Sequence, residues 1–162
     1  DALVDTQPTE QLDALLSKRQ SLINVLERRL DAGELTYARY LSTSQQVFAS
    51  ALDNLHEVAV AYESISTIDE PYIARRLAEL DADDSDAEAA DRERATLERR
   101  RELRNDQRRR IAQLLAQNEA ALTALNRTTT ALADVPIGKK PEDADAAMDA
   151  LEALADRAAK DA

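Results

Sequence analysis

The only histidine, His56, is where chemistry would first be sought in this chain. Asp53 precedes it by three residues. On a helix that spacing puts a carboxylate and an imidazole on one face, where both could meet a metal ion. A di-iron site of the ferritin-like kind needs two such pairs and two further carboxylates, which one histidine cannot supply. His56 therefore reads as a surface or boundary residue. Asp81, Asp83 and Ser85 have the spacing of the first ligands of a calcium loop, but Asp86 stands where that loop needs Gly and Arg92 where it needs Glu. Two glycines in all leave no glycine-rich phosphate loop. A Ser–His–Asp triad would have to recruit His56, and no strained nucleophile turn accompanies it. The absence of cysteine removes thiolate nucleophiles, Cys-ligated zinc and disulfides. The inventory predicts a protein that is not an enzyme, with no catalytic residue, no metal and no cofactor.

The arginines are more informative. Residues 91–110 hold nine Arg against five acids. Arg94, Arg101 and Arg108 recur every seven residues and so form one line along a helix; Arg104 joins them as a candidate contact. Such a line could receive an acidic protein, a phosphate group or nucleic acid. It could equally be a solvated helix face held by ion pairs, since Arg94–Glu98, Glu98–Arg101, Arg99–Glu102 and Asp106–Arg110 all have suitable spacing, at a few tenths of a kcal/mol each. No aromatic residue lies among these arginines, which weighs against single-stranded nucleic acid. Of the tyrosines, Tyr37 and Tyr62 fall on an apolar seam, and Tyr40 is the one expected to face a partner.

The elements that must carry these residues are long helices. Only 2 Gly, 4 Pro and 3% aromatic residues accompany 33% charged residues, a mix that belongs to helical bundles with few corners. Residues 36–69 read as one uninterrupted helix. Tyr37, Ser44, Ala51, Val58 and Ile65 recur every seven residues, and Leu41, Phe48, Leu55 and Tyr62 follow four residues behind, as in a heptad seam. A seam of about 50 Å needs partner helices.

Residues 1–8 read as a loose arm. Thr6 or Thr9 is the expected cap, with Pro8 in the first turn of a helix over about 9–32. Leu12, Leu15, Leu16, Leu22, Ile23, Leu26 and Leu30 are its expected stripe. Gly33 is expected to close it in the left-handed conformation. Pro71 ends the central helix near Asp69, and Asp69, Glu70 and Pro71 start a short helix over 72–80. The acidic stretch 81–86 reads as a hinge. Residues 87–133 form a last long helix, mostly solvated in its first half, with its apolar stripe returning at Ile111, Leu114, Leu115, Leu122, Leu125 and Leu132. Residues 136–141 read as a linker, and 142–162 as a marginal Ala-rich helix carrying Ala144, Ala147, Met148, Leu151, Leu154 and Ala158. The predicted fold is all-α: an elongated, coiled-coil-like antiparallel three-helix bundle over 9–135, in which the first and last long helices both run against the central one, with the short and C-terminal helices added.

A net charge of −11 repels nucleic acid and anionic lipid from the chain as a whole. No apolar run approaches the roughly 18 residues that a membrane span needs. The chain opens on Asp1, which fits a fragment or a processed form, and the expected location is the cytoplasm. Gly33-Glu34-Leu35-Thr36-Tyr37-x-Arg39-Tyr40, with the helix through Asn54-Leu55 to Ser66-Thr67-Ile68-Asp69, resembles helical bacterial proteins that accompany toxic-anion (tellurite) resistance proteins. The likeness covers about a quarter of the chain, carries no catalytic signature, and implies an accessory role in a stress system. The expected function is a non-enzymatic scaffold or protein–protein interaction module, acting on a protein partner or on itself. The alternative is an adaptor that binds an anionic ligand or nucleic acid through the Arg-rich helix, with nucleic acid the less favoured.

Overall fold

The computed structural model describes residues 6–31, 33–82, 87–135 and 142–160. They form helices and their connections: α1 (Gln7–Arg29), α2 (Leu35–Ile65), α3 (Glu70–Ala82), α4 (Ala87–Ala133) and α5 (Glu142–Lys160). The fold is an all-α helical bundle. No described helix is long and apolar enough to cross a membrane. The expected acidic hinge at 83–86, the linker at 136–141 and residues 1–5 of the arm lie outside the described residues.

The chain divides into two units, residues 1–56 with 114–162, and residues 57–113. In the first, Leu15, Leu22 and Leu26 of α1, Tyr40, Val47 and Ala51 of α2, Leu122, Leu125 and Leu132 of α4, and Met148, Leu151 and Ala155 of α5 bury one another in a single cluster. The C-terminal helix is thus part of the wall. Gln11 bonds the Leu115 carbonyl, Lys18 bonds Asn126 and Arg29 bonds the Val135 carbonyl, so α1 and the end of α4 ascend together. In the second unit, Ile73 and Leu80 of α3 pack with Leu97 of α4, flanked by Ile68, Leu77 and Ala90.

Several local expectations are corrected. Thr6 stands at the N-cap of α1 without capping it: its hydroxyl donates to the Glu10 carboxylate at 2.9 Å. Pro8 lies in the first turn. α1 stops at Arg29 because Leu30 turns extended, at φ −127° and ψ 148°. Gly33 is therefore not the closing residue. It lies outside the left-handed region, and a Cβ there would meet nothing within 4 Å. The buried line of α1 runs through Gln11, Leu15, Leu22 and Leu26, leaving Leu12 and Leu16 exposed.

α2 ends four residues early. The Ser64 and Ser66 hydroxyls donate to the carbonyls of Ala61 and Glu63, and the amides of Ser66 and Ile68 make tight three-residue turns. Side chains that bond the backbone locally compete with continued helix. Asp69 then becomes the cap of α3, its carboxylate accepting from the Tyr72 amide at 2.9 Å. α3 consequently begins at Glu70 and runs on to Ala82, taking in two residues of the expected hinge.

The seam of α2 is also rotated. Ser44, Ala51, Val58 and Ile65 are buried as expected, but the second buried row is Tyr40, Val47 and Ala61, which follow Tyr37, Ser44 and Val58 by three residues and not four. Leu41, Phe48, Leu55 and Tyr62 are only half-buried.

Candidate interaction surface

That rotation decides the fate of Tyr40, which was expected to face a partner. It is 1% exposed, packed in the cluster to which α5 contributes Met148 and Leu151. Burial, followed by the field of Asp145, pushes its hydroxyl up to about 12. Its neighbour Arg39 is the surface residue: its guanidinium takes Glu152 of α5 in a two-point grip at 2.6 and 2.8 Å. The hydrogen bond from Arg39 holds the Glu152 carboxyl below the usual carboxylate range. A paired arginine at the entrance to α2 is thus an internal fastening for α5.

The arginines of α4 fall into two groups. Arg94 donates to Asp81 at 2.8 Å and to Asp91 at 3.0 Å, so it is tied within the α3–α4 corner and is not a free contact. Arg76 grips Glu93 in the same corner at 2.6 and 2.9 Å, and that bond keeps the Glu93 carboxyl below its ordinary range. Further along, Arg99 meets Glu102 at 3.6 Å, Arg109 meets Asp106, and Arg110 reaches Glu57 of α2 at 2.5 Å. Of the ion pairs expected from spacing, only Arg99–Glu102 forms; Asp106 chooses Arg109 over Arg110. Arg100, Arg101, Arg104 and Arg108 have no carboxylate partner among the described residues, and neither has Glu98.

The positions of these unpaired arginines matter more than their number. Leu97 and Ile111 are both buried, at 4% exposure. The steps from 97 to 101, 104, 108 and 111 alternate four and three, which is the seam of a helix continued through three arginines. Arg101 and Arg104 are half-buried and Arg108 is exposed. No residue from 98 to 110 is buried, whereas Val58, Ala61 and Ile65 of α2 are. Long basic side chains can lie along apolar surface with their heads in water, which fits the half-burial of Arg101 and Arg104.

Two open concavities border α4. One, of about 580 Å³, is lined by residues of the basic stretch, among them Glu98, Arg99, Arg101, Glu102, Asn105 and Arg109. The other, of about 480 Å³, lies over Thr123, Asn126, Arg127 and Thr130. His56 and Asp53 are both exposed. Among the described residues no three of His, Cys, Asp and Glu gather as metal ligands would.

One buried polar group that helps position α4 is not among the residues expected from the sequence. Asn118 is fully buried; it donates to the Ala51 carbonyl at 3.1 Å and accepts from Asn54 at 3.0 Å. Its signal was available, since 118 falls between Leu115 and Leu122 on the seam. Gln11 plays a similar part, donating to the Leu115 carbonyl at 3.0 Å and to Glu119 at 2.8 Å. No protein-family model, curated protein or solved structure matches this chain.

Proposed function

We propose that this chain is a non-enzymatic helical interaction module whose contact surface is the row Arg100, Arg101, Arg104 and Arg108 on α4, and that its partner is an acidic protein surface. The observation that carries this reading is that four neighbouring guanidiniums lack carboxylate partners among the described residues of a strongly acidic chain. Arginine forks are well shaped for carboxylates; Arg101, Arg104 and Arg108 present them along one line at seam spacing, with Arg100 beside it. Glu98 and Glu102 interrupt the basic field on the adjoining face, which suits a partner of mixed charge better than a uniform polyanion. The likeness of 33–40 and 54–69 to accessory proteins of toxic-anion resistance supports a place in a bacterial stress system.

Nucleic acid through the same row is the second reading, favoured by seven Arg against two acids over residues 99–110. Fluorescence anisotropy with a glutamate-rich peptide and with a single-stranded oligonucleotide separates the two. The first reading expects peptide binding that weakens with salt and is lost in Arg101→Glu/Arg104→Glu/Arg108→Glu. The second expects oligonucleotide binding whose logarithm falls with log salt at a slope of about −3, at roughly 0.7 per neutralised phosphate for four arginines. Binding that survives the triple reversal removes both.

A further inference from the structure

A second heptad line runs along α4 beside the arginine row. Ala95, Glu98, Glu102, Asn105, Arg109 and Ala112 recur at alternating steps of three and four, and all six are exposed. On the intramolecular seam such a line would be apolar and covered. Here it is bare and carries a charge order: acids in its first half, arginine in its second. The 580 Å³ concavity lies along it, because Ala95 and Asn105 are short beside Arg99, Arg101 and Arg109.

Read in reverse, this line complements itself. When two copies of one helix pair antiparallel about a two-fold axis between positions 103 and 104, Ala95 faces Ala112, Glu98 faces Arg109, and Glu102 faces Asn105, and the axis repeats each contact. An isologous interface requires such self-complementarity, residue i meeting j while j meets i. The small residues fall at the two ends, where backbones must approach, and the opposite charges fall between them. Glu98, which has no ion-pair partner among the described residues of its own chain, gains one. On the flanks, Arg99 comes opposite Asp106, an attraction, and Arg101 opposite Arg108, a repulsion. Each exposed ion pair contributes little.

We infer that this face of α4 is a self-association surface, and that its occupant is a second copy of the chain in antiparallel register. The polar seam and the single helix pair place the contact in the weak, reversible class, below the roughly 1,200 Å² typical of stable complexes. It is centred on a different line from the arginine row proposed above, meets that row only at its flanks through Arg101 and Arg108, and does not depend on it.

The chain has no cysteine, so single cysteines report the register directly. A mixture of Ala95→Cys and Ala112→Cys, mildly oxidised, should give disulfide-linked dimer well above either variant alone. Sedimentation of the wild-type chain up to about 1 mM, the weak end of the affinity scale, should show reversible dimer. Glu98→Arg should weaken it about tenfold, two repelling pairs replacing two attracting ones, and Glu98→Arg/Arg109→Glu should restore it. Cross-linking of Ala95→Cys with itself as readily as in the mixture means parallel pairing and overturns the inference. So does a double variant that stays as weak as the single one with helicity unchanged by circular dichroism, or a mixture that cross-links no better than its components. Where a charge variant loses helicity, the cysteine pair, which alters only exposed alanines, still decides.

Discussion

At the residue scale the most constrained group is the Tyr40 phenol. Its folded-state value is raised to about 12 by burial, against about 10 for a free tyrosine. A raised value means that the folded state prefers the neutral form. The stabilisation is fully present below about pH 10 and is lost as pH rises through about 12. An absorbance titration at alkaline pH should therefore show a late-ionising component that disappears in Tyr40→Phe, and unfolding should accompany it in the wild-type chain. The Glu152 carboxyl works in the opposite direction. Arg39 lowers it, so its contribution is present above the ordinary carboxylate range and is lost as pH falls through the lowered value. Acidification below about pH 4 should loosen α5. Glu152→Gln should remove that acid sensitivity from the protease susceptibility of the C-terminal segment. Asn118 is a buried polar group that ties α4 to α2. Asn118→Ala leaves a buried cavity and strips Asn54 and the Ala51 carbonyl of their contacts. It should cost about 1–3 kcal/mol in chemical denaturation.

At the scale of elements, the connection between α1 and α2 offers a test in the stabilising direction. Gly33 sits outside the left-handed region with open space around its Cα. Gly33→Ala should accordingly raise stability by about 0.4–1 kcal/mol, chiefly by restricting the unfolded chain, and thermal melting will show it. A fall in melting temperature would mean that the connection needs glycine after all. The same connection shows what periodicity can and cannot reveal. The five helices were legible because apolar residues recurred at helical spacing and Pro8, Pro71 and the Asp69 cap punctuated them. Their ends were less so: Ser64 and Ser66 turn the backbone with their own hydroxyls, a competition that a heptad count does not register. The buried face of α2 differs from the expected one by one residue because a helix packed on more than one side buries an arc wider than two heptad lines, and the sequence does not say where that arc is centred. Tyr40 therefore turns inward, into the cluster that α5 joins through Met148, Leu151 and Ala155. The arginine row was visible as charge. Which arginines would find carboxylates was not, because Arg94–Asp81 and Arg110–Glu57 join residues 13 and 53 apart in the chain.

At the scale of the whole molecule, local stability should be unequal, and the proposed contact surfaces lie where it is low. Residues 98–110 contribute nothing to a buried core, and the described cluster of their unit rests on Ile73, Leu80 and Leu97. Residues 115–132 of the same helix α4 instead contribute Leu115, Asn118, Leu122, Leu125, Thr128 and Leu132, all buried. Helical hydrogen bonds are equivalent along α4, so the difference in opening free energy must come from side-chain packing. Native-state hydrogen exchange should find amides of 98–110 opening at lower free energy, and at lower denaturant, than those of 115–132. Equal protection along α4 would mean that the helix opens as one unit and that its arginines are held as firmly as its leucines. The same measurement reads out binding. A partner on the arginine row stabilises only the helical form, so its presence at 100 times Kd should raise protection at 98–110 by about 2.7 kcal/mol and leave sub-global openings elsewhere unchanged. Protection that rises only within 115–132 would place the partner off the row, and with it the function proposed for Arg100, Arg101, Arg104 and Arg108.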